Sequence, residues 1–172
     1  MSDYIVEAKS RKELRRLAFL FRQMLGLENY IRMPVVELLE LLPDIFDRFS
    51  SEIVSNDTFP PGTHAETDIQ TGHITIAEEV YERACNGEGR DRMTIAHEIG
   101  HFLMLDICGF KLQRRFYGQE VKQFNDPEWQ AKCFAGELLV PYHLTQNMTA
   151  EEIAKACGVS LEAADYQLKH RG

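Results

Sequence analysis

His97 and His101 stand four residues apart in the run Met93-Thr-Ile-Ala-His97-Glu98-Ile-Gly-His101-Phe-Leu-Met-Leu105. On a helix, that spacing aims both imidazoles from one face, so they can share one tetrahedral ion. Glu98 sits beside them, placed to take a proton from water without being a ligand. The same motif arises by chance in helices, where two core histidines bond to backbone and the glutamate faces solvent. A third ligand separates these readings, because a catalytic zinc site takes three protein donors and keeps one position open.

Downstream, the possible donors are Glu120, Asp126, Glu128, Glu137 and His143. Asp126-Pro127 has the form of a helix start, an N-cap followed by proline, and Pro141 ends that helix. At about 100° per residue, Glu128 falls with Ala131, Ala135, Leu138 and Leu139 on the apolar, core-facing side. The small alanines there would let a second helix approach closely. Glu137 falls about half a turn away, with Gln130, on a face read as polar. A carboxylate in an apolar stripe needs an explanation, so Glu128 is the expected third ligand; Glu120, in a polar stretch, is its rival.

The elements that must carry these side chains follow from local pattern. Apolar residues at helical spacing predict a helix from about Lys9 to Leu25, with Arg11, Lys12, Arg15, Arg16 and Arg22 on a solvated basic face. A second helix should open at Pro34 and break at Pro43, with a further turn through Phe49. Two β-branched runs, His64–Gln70 and His73–Ala77, flank Thr71-Gly72 and predict a β-hairpin. Helices are expected at 78–86, at 92–108 with Asp91 as N-cap and Gly109 just past the end, and at 127–140. Thr149 to Leu168 has the cadence of a helix-turn-helix pair. Its second helix offers Glu162 and Asp165 where a DNA reader needs basic or amide groups, so it is read as closing the domain, without direct nucleic-acid binding.

The chain's 172 residues suit one domain, 1–172, and 44% hydrophobic with 27% charged residues is ordinary for a soluble protein. No stretch is apolar enough for a membrane span, and the start lacks an apolar signal region, so a cytoplasmic location is expected. Four cysteines with no CxxC pair read as free, mostly buried thiols. A net charge of −8 argues against a protein whose main task is gripping phosphate backbones.

His97-Glu-Ile-Gly-His101 followed by Glu128-Trp-Gln-Ala-Lys-Cys-Phe-Ala-Gly-Glu-Leu-Leu-Val-Pro141 resembles the ImmA/IrrE family of zinc metallopeptidases, most specifically over residues 91–141. Departures at Lys132, Val140 and Asp106 touch no ligand. The resemblance implies one Zn²⁺ held by His97, His101 and Glu128, with Glu98 as catalytic base. It also implies a gluzincin-like α+β fold: small and zincin-like, mostly helical, with a short antiparallel sheet beside the motif helix. Its implied substrate is a helix-turn-helix repressor, in phage, mobile-element, stress or toxin–antitoxin regulation. The alternative is a zinc-containing protein that inactivates a repressor or antitoxin by binding alone. Tyr117, Tyr142 and His143 are candidates to stabilise an oxyanion, and the connection from Phe110 to Asn125 reads as either a binding rim or a solvated loop.

Overall fold

Ser10 and Glu13 close a reciprocal capping box and so start α1 (Arg11–Met24), two residues after the predicted beginning. The computed structural model describes residues 4–109, 113–114 and 120–171. Its further helices are α2 (Leu38–Ile45), α3 (Glu78–Cys85), α4 (Gly89–Cys108), α5 (Pro127–Leu139), α6 (Ala150–Cys157) and α7 (Leu161–Lys169). The strands are β1 (Tyr4–Ile5), β2 (Ser50–Val54), β3 (Ala65–Thr67), β4 (His73–Ala77) and β5 (Gln113–Arg114). The fold is α+β, and among the described helices none is long and apolar enough to cross a membrane.

The hairpin is present, but its loop is longer than two residues. Asp68 accepts hydrogen bonds from the amides of Gln70 and Thr71, which ends β3 at Thr67 and gives a connection spanning 68–72. β3 and β4 pair antiparallel, while β2, not foreseen, joins β4 in parallel, so the expected antiparallel sheet is a mixed one ordered β2-β4-β3. Pro43 does not break α2; it sits in the last turn, and Phe46 N–H still reaches the Leu42 carbonyl at 2.8 Å. α2 also starts at Leu38 rather than Pro34.

α4 is the central element, packed on α5, α3, β3 and β4. Ile95, Ala96, Ile99, Phe102, Leu103 and Met104 are all buried, as a helix apolar on nearly every side requires. It begins at Gly89, so Asp91 lies inside the first turn and is held by the Arg83 guanidinium through two 3.0 Å hydrogen bonds instead of capping the helix. Gly109 ends it in the left-handed conformation. At Gly100, a Cβ would stand 3.0 Å from the Ala131 carbonyl oxygen, so the missing side chain lets α5 lie tightly on α4. That contact brings the start of α5 to the two histidines.

The basic face of α1 is not simply solvated. Arg22 is 1% exposed and donates to the Leu138, Leu27 and Tyr30 carbonyls, supplying partners for the C-terminal end of α5. Burial pushes its pKa down to about 10, which leaves it charged at neutral pH. Arg11 and Arg15 converge on Glu137 at 3.0 and 2.9 Å, while Lys12 and Arg16 remain exposed. Glu137 and Gln130, read as polar-face residues, are therefore buried, because α1 and the N-terminal segment cover that side of α5. Glu137→Ala should lower stability by about 2–3 kcal/mol, less than loss of a fully enclosed partner, because Arg11 keeps Gln167 and Arg15 keeps the Arg171 carbonyl. Chemical denaturation of the metal-free protein measures it.

Both helices of the C-terminal pair have capped starts, at Thr149 and Ser160, and α7 contacts α5. Arg92 ties this pair to α4 by donating to the Gly158 carbonyl at 2.9 Å. Cys133 and Cys157 are buried, and burial pushes both thiols up to about 11; Cys85 is exposed.

Candidate metal centre

Asp126 accepts the Glu128 amide at 3.0 Å and Pro127 occupies the first turn, so α5 starts where the sequence pattern puts it. The Glu128 side chain then faces α4. Its Oε1 lies 3.3 Å from His101 Nε2 and its Oε2 3.5 Å from His97 Nε2. Donors about 2.0–2.1 Å from a common tetrahedral ion lie about 3.3–3.4 Å apart; the His101 separation equals that edge, and the His97 separation, taken to the other carboxylate oxygen, is close to it. One ligand atom from each of His97, His101 and Glu128 lies within 4.8 Å of the others.

His97 Nε2 is buried and has no hydrogen-bond partner. A buried ring nitrogen left in that state is costly, and a cation at the point shared with His101 and Glu128 would satisfy it. The donor set of two imidazoles and one carboxylate fits a divalent metal such as zinc.

Charge follows the same arrangement. Burial, reinforced by the neighbouring His101, pushes the His97 pKa down to about 4, so its ring is neutral and available as a ligand at pH 7. Burial also pulls on His101, but its hydrogen bond with Glu128 and the charges of Glu128, Glu98 and Asp126 outweigh that and raise it. The His101 hydrogen bond holds Glu128 below its ordinary carboxylate value.

Glu98 is 6% exposed, and burial raises its pKa, the direction a proton acceptor needs. Its Oε2 accepts from the Thr67 hydroxyl at 2.7 Å; its Oε1 lies 3.7 Å from His97 Nδ1. Sequence reasoning assigned Thr67 only to the β-branched rhythm of a strand. No local pattern distinguishes it from the chain's other threonines, since its role depends on β3 packing against α4.

The three histidine and glutamate side chains, with Glu98, line a cleft of about 1540 Å³ walled by β3, the hairpin connection and the first turns of α4. Glu128 is 52% exposed into this space, not facing the core as its helical phase suggested. α5 is buried around most of its circumference, so phase alone does not separate Glu128 from Glu137; position along the helix does. Tyr142 and His143 do not line the cleft. Tyr142 lies under the Arg15 guanidinium, and His143 bonds the Glu28 carbonyl and packs edge-on against Phe19. Glu120 is exposed and is not part of the donor cluster. Tyr117 lies outside the described residues, as do the stretches 110–112 and 115–119 of that connection.

The family model for Peptidase M78, the IrrE N-terminal-like domain, matches residues 56–169, a span holding all four site residues. The chain belongs to this IrrE-like family. It therefore carries a metallopeptidase-type domain. The fold is similar to a solved structure, a Mycobacterium tuberculosis transcriptional regulator, with a TM-score of 0.58 and 17% identity. That similarity covers 91% of this chain and 46% of the other, so the chain spans about half the length of this relative. No curated protein sequence matches the chain.

Proposed function

We propose that the chain, as one metallopeptidase domain, is a zinc-dependent endopeptidase that cleaves a helix-turn-helix transcriptional repressor in the cytoplasm. The observation that carries this reading is the buried His97 Nε2, which makes no hydrogen bond and faces the Glu128 carboxylate that His101 Nε2 also faces. These three residues would hold one Zn²⁺, which supplies Lewis acidity that makes water a usable nucleophile at neutral pH. Glu98 takes a proton from that water as its oxygen bonds to the peptide carbonyl carbon. When the C–N bond breaks, Glu98 returns the proton to the leaving amine.

The free edge of β3 borders the cleft and offers backbone groups to an extended substrate segment. Glu52, Glu66, Asp68 and Glu88 line the cleft. Among the described residues that line it, the arginines are Arg83, already held by Asp91 and Glu79, and Arg90. A cleft of that sign attracts a basic segment, which suits a DNA-binding protein as substrate. The structural relative's description as a transcriptional regulator suits a role in gene control. Glu162, exposed, and Asp165, partly exposed and paired with Lys169, give α7 no basic reading face, which supports the view that the chain does not bind nucleic acid itself.

The test is incubation of the zinc-loaded protein with a purified helix-turn-helix repressor, with fragments read by mass spectrometry. Expected are two fragments whose new C-terminus and new N-terminus come from one peptide bond, lost on adding a chelator and restored by zinc. Relief of DNA binding by the repressor without any fragment would favour inactivation by association.

A further inference from the structure

We propose that Thr67 is a positioning residue for Glu98, anchoring Oε2 and leaving Oε1 as the oxygen that carries the proton; this rests on the peptidase reading above. The Thr67 hydroxyl has two acceptors in reach, Glu98 Oε2 at 2.7 Å and the Glu98 carbonyl oxygen at 3.1 Å. Both belong to one residue. The hydroxyl carries one hydrogen, and the shorter separation and the negative charge of the carboxylate assign it to Oε2, which leaves the carbonyl as the weaker contact.

A glutamate side chain has three rotatable bonds, and nothing in α4 alone would choose among their settings. Thr67 can do so because it is itself held. It is β-branched, which restricts its first torsion, it is 8% exposed, and it pairs with Ile74 across the β3–β4 ladder. Oε1 takes no hydrogen bond from the described residues and lies 3.7 Å from His97 Nδ1. The division of labour follows. Water gives its proton to Oε1 while its oxygen bonds to the carbonyl carbon; the C–N bond then breaks and the proton leaves Oε1 for the amine nitrogen. Glu98 ends as the carboxylate that began. Throughout, Oε2 stays with Thr67. Because Thr67 belongs to the strand whose outer edge borders the cleft, the residue that aims the base also lies beside the surface available to a substrate strand.

The test uses wild type, Thr67→Val, Thr67→Ser, Glu98→Gln and the Thr67→Val/Glu98→Gln double variant, each with one equivalent of zinc. Cleavage of a peptide library cut from a bacterial proteome with a glutamate-specific protease, which keeps internal Lys and Arg, is read by mass spectrometry, and kcat and KM are measured on the best-cleaved peptide. Valine keeps the shape and strand preference of threonine but not its hydroxyl. Thr67→Val should lower kcat roughly 10- to 100-fold with KM within about twofold, the effect of a misaimed group rather than of weaker binding. Zinc affinity and the melting temperature of the metal-free protein should stay near wild type. Thr67→Ser should recover most of the loss, and the double variant should be no slower than Glu98→Gln alone. An unchanged kcat in Thr67→Val, a serine variant as impaired as the valine one, or additive losses in the double variant would overturn the proposal. Thr67→Ala carries the same comparison if the valine protein does not fold. An active wild type with an unaffected valine variant defeats this inference alone; a zinc-loaded wild type that cleaves nothing defeats the peptidase reading and this inference together.

Discussion

Glu98→Gln protein is expected to bind zinc as wild type does and to lose peptide hydrolysis by on the order of 10²–10⁴-fold, the range supplied by a positioned acid–base group. The amide keeps an oxygen for the Thr67 hydroxyl and nearly the same volume, so the structure around it should persist. Stability of the metal-free protein should differ in a defined direction. Burial raises the Glu98 pKa, so the folded state holds its proton more tightly than the unfolded chain does. Wild type therefore loses stability as pH rises through and above the ordinary carboxylate range, and glutamine does not. The variant should melt above wild type at neutral pH, and the two should converge in acid. Zinc titration, peptide kinetics and melting at two pH values check all three statements. A variant that still hydrolyses peptides at the wild-type rate would remove Glu98 from the mechanism.

Glu128→Ala should act on metal rather than on fold. Its carboxylate is the only one within reach of both His97 Nε2 and His101 Nε2 among the described residues. Its loss should weaken zinc binding by more than the roughly 10- to 100-fold that follows loss of a group merely supporting a ligand. The side chain is half exposed, so the metal-free protein should lose only about 0–1 kcal/mol, as for an exposed ion pair. Glu137→Ala is the opposite case on the same helix: stability falls and zinc binding stays. Competition against a chromogenic chelator, alongside denaturation of both variants, separates the two carboxylates.

That contrast shows where sequence reading succeeds and where it fails. The His97–Glu98–His101 spacing acts within one helix, and helical geometry follows directly from the backbone period. Asp126-Pro127 likewise acts locally, through the Glu128 amide, and α5 begins there. Glu128 was identified for a reason that only half holds. Its phase on α5 points to the core, whereas the side chain opens into the cleft from the first turn. Glu137 looked wet because amphipathic periodicity assumes one buried face, and α5 is covered on one side by α4 and on another by α1. Arg11, Arg15 and Arg22 looked solvated for the same reason: their partners on α5 are more than 110 residues away in sequence.

β2 was missed because Ser50-Ser-Glu-Ile-Val54 has weak strand character and gains its partner only from the parallel register with β4. Thr67 was invisible as a site residue because its hydrogen bond crosses from β3 to α4. Tyr142 and His143 were candidates because they follow the third-ligand helix in sequence. The turn after Pro141 instead carries them against α1, away from the cleft.

Anomalous diffraction at the zinc absorption edge, from crystals of protein loaded with one equivalent of zinc, tests the shared coordination point most directly. The predicted result is one dominant peak within about 2.0–2.2 Å of His97 Nε2, His101 Nε2 and a Glu128 carboxylate oxygen. A peak at other residues, or one on the two histidines with the Glu128 carboxylate turned away, would contradict the account.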